Sequence, residues 1–386
     1  MARLNVIGFE TGDYSETDFQ NGTGSISTTQ KRTGAYSLRA NPTTSTLLFR
    51  LKTHDATGAF ATWNTANIYF TFYLWIASAP SAKTTILEVE SAGPSQLRVK
   101  LDTDNTLTLV YFNGAAVQTQ IGSASAALST GAWHLIEVKG TALATGGSSV
   151  AELKLNGSVV ATGTGLTVMV TPANSTHAYI GMIDAATADL YFDDIVIDDA
   201  AYPGARQVNI LKPRAAGASA QWATGTSALF SAVNEVPHDS DTTYIGSVTS
   251  GNASSFAMDS SATGGVVGTI GVIKTVGIFR DEGGASSMSV RLRNGATNRD
   301  TTAVDPGATY VALARLDATD PNGGGAWTSG GLDTIEAGAV NSAAVAARCT
   351  ALYVMVECAG TPSSKVHQLV DAGLVDRGLI SAGLVG

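Results

Sequence analysis

The chain has 386 residues, 42 of them glycine, only 14% charged, and a formal net charge of −9 at neutral pH. That length suits two or three domains, each able to bury its own core. An acidic chain without a basic stripe is excluded from electrostatic nucleic-acid binding. No run approaches the ~20 apolar residues of a membrane-spanning helix.

The chain opens Met1-Ala2-Arg3-Leu4-Asn5-Val6-Ile7 and passes directly into a short strand, so no secretory signal is expected. Through residue 203 the pattern is β. Strands are expected at 3–8, 35–40, 45–51, 68–77, 84–90, 97–101, 106–112, 133–139, 151–155, 177–183 and 190–198. Asp104-Asn105, Asn113-Gly114 and Asn156-Gly157 fall between them, where Asn tolerates the positive φ of a tight hairpin. Leu97-Arg98-Val99-Lys100-Leu101 alternates, placing its apolar residues on one face and its cations on the other. Many short strands with regular turn signals predict an all-β sandwich or barrel.

A second unit of similar composition is expected over 204–362, joined by a short linker around 202–212. Its strands are expected at 207–211, 243–248, 255–258, 270–280, 288–293, 309–314 and 351–357, with one more within 332–340. It too reads as a β-sandwich. Cys349 and Cys358 lie nine apart along one strand and its exit. At roughly 3.3 Å per residue they are too distant to bridge, and buried free thiols are expected. From 363 the character changes. Leu374 and Val375, Leu379 and Ile380, and Leu384 and Val385 each follow a glycine, five residues apart. Such an apolar segment cannot bury itself, so 363–386 reads as an attachment tail for a partner subunit.

Three segments, Trp133 to Lys139, Leu153 to Val160 and Leu190 to Asp199, resemble closing strands of the laminin-G and concanavalin-like lectin superfamily. The opening Gly8-Phe9-Glu10-Thr11-Gly12-Asp13, with Arg32-Thr33-Gly34-Ala35-Tyr36-Ser37-Leu38-Arg39, is similar to carbohydrate-binding jelly rolls. That resemblance implies a structural calcium held by Glu10 and by Asp193 or Asp194, with carbonyls near Gly34. The alternative is that these acids face water or cap turns. The second half resembles a module of tailed-bacteriophage virion proteins. The matching segments are Asn234-Glu235-Val236-Pro237, Asp241 to Ile245, Arg291 to Gly295, Asp320 to Thr328 and Leu352 to Val356.

Catalysis is not expected. Glu88 and Glu90 share a strand face, as glycanase carboxylates do, but the third acid and flanking aromatic are missing. The histidines stand singly, and no Gly-x-Ser-x-Gly elbow lies on a strand–turn–helix unit. The resemblances lead to the expectation of a non-enzymatic structural virion protein, a homotrimer binding other virion proteins. The alternative is an adhesin for surface glycans, using Trp63, Tyr14 and Tyr111 as its aromatic platform.

Overall fold

Two stacked pairs of antiparallel sheets account for nearly every strand in the computed structural model, which describes residues 3–22, 24–42, 46–168, 173–223 and 229–359. The expected tail, with Leu374, Val375, Leu379, Ile380, Leu384 and Val385, lies outside the described residues. The first sandwich has an eight-stranded sheet, ordered Ser158–Leu166, Ser149–Leu155, Trp133–Thr141, Ile68–Ser78, Asp189–Asp198, Ser37–Ala40, Gly24–Ser27. Arg3–Ile7 also pairs with Asp189–Asp198. The facing seven-stranded sheet runs Gln118–Ile121, Leu107–Phe112, Ser95–Leu101, Thr84–Glu90, His177–Met182, Leu47–Leu51, Phe19–Asn21.

Alternation assigns the faces. In Ile68–Ser78, Phe70, Phe72, Leu74 and Ile76 point into the core, where they meet Leu87, Val89, Val99 and Ile180 of the other sheet. Tyr69, Thr71, Tyr73 and Trp75 therefore lie on the outer face. The Asn156-Gly157 turn has φ of 51° and 82°, closing the hairpin between Ser149–Leu155 and Ser158–Leu166. That is the positive-φ pair a two-residue turn requires.

In the second half, Arg206–Leu211, Ala347–Ala359, Ile270–Asp281 and Val311–Asp317 form one sheet, with Ile245–Ser247 also on Ala347–Ala359. Pro213–Ala220, Ala253–Met258, Ile335–Asn341, Met288–Asn294 and Thr297–Asp300 form the other. The expected linker is shorter than its sequence suggested. Arg206–Leu211 is a ladder strand, paired from Arg206↔Ala359 to Leu211↔Val354, which leaves residues 199–205 as the connection. Cys349 and Cys358 share the strand Ala347–Ala359, buried and unbridged.

The two halves are joined by an apolar contact between sheet faces. Val6 and Val196 of the first pack against Val208, Val272, Val276, Ala351, Tyr353 and Met355 of the second. In Ile270–Asp281, Ile273 and Phe279 enter that half's own core while Val272, Val276 and Ile278 enter the junction. Burial on both faces explains why this strand and Leu352-Tyr353-Val354-Met355-Val356 read as continuous apolar runs.

Lys274 is the exception in this layer. It is fully buried, and its Nζ donates to Asn5 Oδ1 (3.0 Å) and the Val6 carbonyl (3.1 Å) across the junction. Burial pulls its pKa down to about 8, against a smaller opposing pull from Glu16. Relative to an ordinary lysine this disfavours the charged form by about 3 kcal/mol. Around the rim, Arg3 binds Asp198 (2.8 Å) and Glu357 (3.3 Å), and Arg206 binds Glu357 (3.0 Å).

Because the folded chain releases the Lys274 proton at lower pH than the unfolded chain does, stability should rise from about pH 8 toward the ordinary lysine value. Urea midpoints across that window are expected to show the rise in the native chain and its loss in Lys274→Met. An identical slope in both proteins would refute this account.

Candidate functional site

Asp193 and Asp194 sit on a β-bulge. The register of Asp189–Asp198 against Ile68–Ser78 slips between Asp193 and Val196, and Asp194 has φ of 51°. A bulge bends its strand and re-aims the side chains that alternation would otherwise place. Both carboxylates are fully buried. Asp193 Oδ2 accepts from the Arg32 N–H (2.8 Å) and Oδ1 from the Asp194 N–H (2.7 Å). Asp194 Oδ1 accepts from Thr33 Oγ1 (2.7 Å) and the Val208 N–H (2.6 Å), and Oδ2 from the Arg32 guanidinium (2.6 Å).

Glu10, also fully buried, accepts from the N–H groups of Ala35 (2.8 Å) and Tyr36 (3.3 Å). Gly34 lies against it with φ of +60°, and a Cβ there would come within 2.2 Å of the Glu10 carboxyl carbon, so only glycine fits. Burial raises Glu10 and Asp193 well above the usual carboxylate range, and for Asp193 the charges of Asp194 and Glu10 add to it. Burial raises Asp194 as well, opposed chiefly by Arg32.

These three acids, which the resemblance implied as calcium ligands, form a hydrogen-bonded staple. All six carboxylate oxygens face N–H, O–H or guanidinium donors. Calcium needs oxygen ligands in those positions. Among the described residues no three His, Cys, Asp or Glu side chains are arranged to hold a metal. As placed, Glu10, Asp193 and Asp194 do not fit a calcium site.

The expected aromatic platform does not form either. Trp63 is 3% exposed, its Nε1 donates to Ser175 Oγ (2.9 Å), and its ring meets Phe70 edge-on at 6.2 Å. It is a core residue. Tyr14 stacks on Phe49 at 5.4 Å and donates to the Gly24 carbonyl (2.6 Å), and Tyr111 packs half-buried on the core. No ring contact joins any two of the three among the described residues.

A different aromatic row occupies the outer face of the eight-stranded sheet. Trp133 pairs with Trp75, Trp75 with Tyr191, and Tyr191 with Arg39, across four neighbouring strands. The tryptophan rings are 5.7 Å apart and tilted by 60°, and both are half-buried. Tyr191 is sheltered beside them, with the Arg39 guanidinium 5.5 Å from its ring. Arg39 is held by a two-pronged pair with Asp189, both contacts 2.8 Å. Both tryptophans were visible in the chain, as the last aromatic of one apolar run and the first residue of another. Only the register sets them side by side.

Glu88 and Glu90 lie on the outer face of the seven-stranded sheet. Glu88 is bound by Ser95 and by Arg98 (2.6 Å), and Glu90 by His177 (3.1 Å). Across the strands Glu88 has Arg98 and Tyr179 as register partners, and no second acid pair. Each acid is matched to a cation or histidine, unlike a nucleophile and acid facing one substrate bond.

No protein-family model matches this chain, and no curated protein does. Among solved structures, the chain is similar to the endo-β-1,4-glucuronan lyase of the fungus Trichoderma reesei at 11% identity, over 52% of this chain and 96% of that one, with a TM-score of 0.40. It is similar to the globular domain of T. cruzi calreticulin at 13% identity, over 52% and 89%, with a TM-score of 0.39. It is also similar to the botulinum neurotoxin serotype D binding domain at 10% identity, over 48% of each chain, with a TM-score of 0.31.

The donor-filled acid cluster predicts that calcium at about 1 mM, or its removal by chelation, leaves Tm within about 1 °C, less than 1 kcal/mol would move it. A calcium-dependent rise of about 4 °C or more, read by calorimetry, would overturn this assignment.

Proposed function

We propose that this chain is a non-catalytic glycan-binding protein whose first β-sandwich presents Trp133 and Trp75 to a surface saccharide. The observation that carries the reading is the in-register row Trp133–Trp75–Tyr191–Arg39. Indole faces offer rigid apolar area with little side-chain entropy to lose, which suits the C–H face of a pyranose. Arg39, fixed by Asp189, adds directed N–H donors at one end of the row. The expected platform residue Trp63 has no part in this, since its ring is enclosed.

On a broad glycan array, Trp75→Ala and Trp133→Ala are each expected to weaken binding about tenfold or more, as loss of an aromatic anchor does. Trp63→Ala should instead destabilise the fold by about 3–5 kcal/mol, as core truncations of this size do. A silent array, or binding indifferent to both surface tryptophans, would sink the proposal.

A second reading places this chain in a tailed-phage particle as a homotrimeric structural component. It rests on the sequence resemblance of the second half, whose matching positions serve packing. Trp327 is buried with its Nε1 donating to the Asp317 carbonyl (2.8 Å), Tyr244 lies under Arg348 at 3.9 Å, and Leu352 to Val356 form the central strand. The two readings are compatible: a particle protein can display a saccharide-binding sandwich. Mass spectrometry of purified particles is expected to find the chain at a stoichiometry divisible by three. Its absence from washed particles would remove this reading and leave the first intact.

A further inference from the structure

Where the two sandwiches meet, an open cleft of about 490 Å³ is lined by residues of both halves, none of them from the acid cluster or the aromatic row. Ser15, Thr17, Asp18 and Phe60 come from the first, and His238, Val304, Asp305, Pro306, Tyr310 and Leu313 from the second. The volume lies within the roughly 300–1,000 Å³ of small-ligand sites, which favour such domain boundaries.

The cleft is built from fixed parts. The hairpin Thr53–His54 and Phe60–Ala61 reaches onto the second half, where the Ala314 N–H donates to the Gly58 carbonyl (2.8 Å) and the Thr302 N–H to that of Ala56. Gly58 has φ of +83°, and a Cβ there would lie 2.9 Å from the Ala314 nitrogen, so the hairpin docks only with glycine at its tip. Phe60 is held by His54, ring centroids 4.5 Å apart. On the opposite wall His238 Nε2 lies 3.4 Å from Asp13 Oδ2, bridging the two halves, and Tyr310 donates to Asp241 (2.8 Å).

Ser15, His238 and Asp305 place polar side chains among the apolar ones of the lining. A largely apolar pocket with a few polar groups is the usual build of a small-molecule site. We infer that this cleft binds one or two residues of an uncharged saccharide.

Three features of the lining select that class. Phe60, Val304, Pro306 and Leu313 make an apolar wall for a C–H face. Ser15, His238 and Asp305 are residue types whose side chains offer hydroxyl groups both donors and acceptors. Among the described residues, no lysine or arginine lines the cleft to hold an anion. Asp18 is already bound by Arg50 (2.6 Å) and Lys52 (3.1 Å), so no free acid cluster awaits a cation. The inference is independent of the aromatic row.

The test uses the full chain and ligand-observed NMR with D-glucose, D-galactose, D-mannose and N-acetyl-D-glucosamine. D-glucuronate and D-glucosamine serve as the anionic and cationic counterparts. At least one uncharged sugar is expected to bind at about 1 mM or tighter. That binding should weaken about tenfold in Ser15→Ala and His238→Ala, as loss of a needed hydrogen bond to substrate does, and remain in Trp75→Ala. Ser15→Ala removes only a hydroxyl, so it keeps the test valid if His238→Ala loosens the halves. The inference is overturned if no uncharged sugar binds, if only the charged probes bind, or if binding survives both cleft variants. Loss in Trp75→Ala alone would assign the sugar to the aromatic row and likewise refute the cleft. Cleft binding with a silent glycan array would remove the aromatic-row proposal and leave this one standing.

Discussion

Asp194 is the residue on which the two halves converge. Its carboxylate takes the Val208 N–H from the second half, the Thr33 hydroxyl from the 28–36 loop, and the Arg32 guanidinium, which also reaches the Arg206 carbonyl. A buried carboxylate left without donors would cost several kcal/mol, so the loop, the bulge and the first strand of the second half must assemble together. The αL conformation at Asp194 costs a non-glycine residue a further ~1–3 kcal/mol. The surrounding bonds and the apolar layer of Val6, Val196, Tyr353 and Met355 offset that cost.

This junction also shapes what the molecule can do. It uses the outer face of Asp189–Asp198 at Val196, while the same strand carries Tyr191 toward the aromatic row. A single bulge therefore separates a structural half-face from a candidate binding half-face. The hairpin at Gly58 makes a second tie between the halves, and the cleft adjoins it.

The strands that were legible in the chain are those buried on at least one full face. Ile68–Ser78, Ile270–Asp281 and Ala347–Ala359 announced themselves as apolar runs because they sit centrally in their sheets. Phe19–Asn21, Gly24–Ser27, Gln118–Ile121, Pro213–Ala220 and Thr297–Asp300 did not, and every one is a sheet edge. Ser158–Leu166, another edge, was readable only as far as Val160. Edge strands contribute few core side chains and are kept polar or small, which weakens the pattern that identifies a strand. The edges Arg206–Leu211 and Val311–Asp317 were readable because the junction buries their outer faces too.

Sequence alone determined the all-β class and the free thiols, which depend on local pattern; Glu10, Asp193 and Asp194 were drawn together only by the family resemblance. Tertiary structure decided what those acids face, because donors from Arg32, Thr33, Ala35 and Val208 arrive from other segments. It also decided which aromatics are accessible. Trp63 and Trp75 are alike as letters, but strand alternation and cross-strand register enclose the first and set the second beside Trp133. A cleft made by two halves has no signature in either, since Ser15 and His238 become neighbours only when Val6 and Tyr353 are packed in one layer.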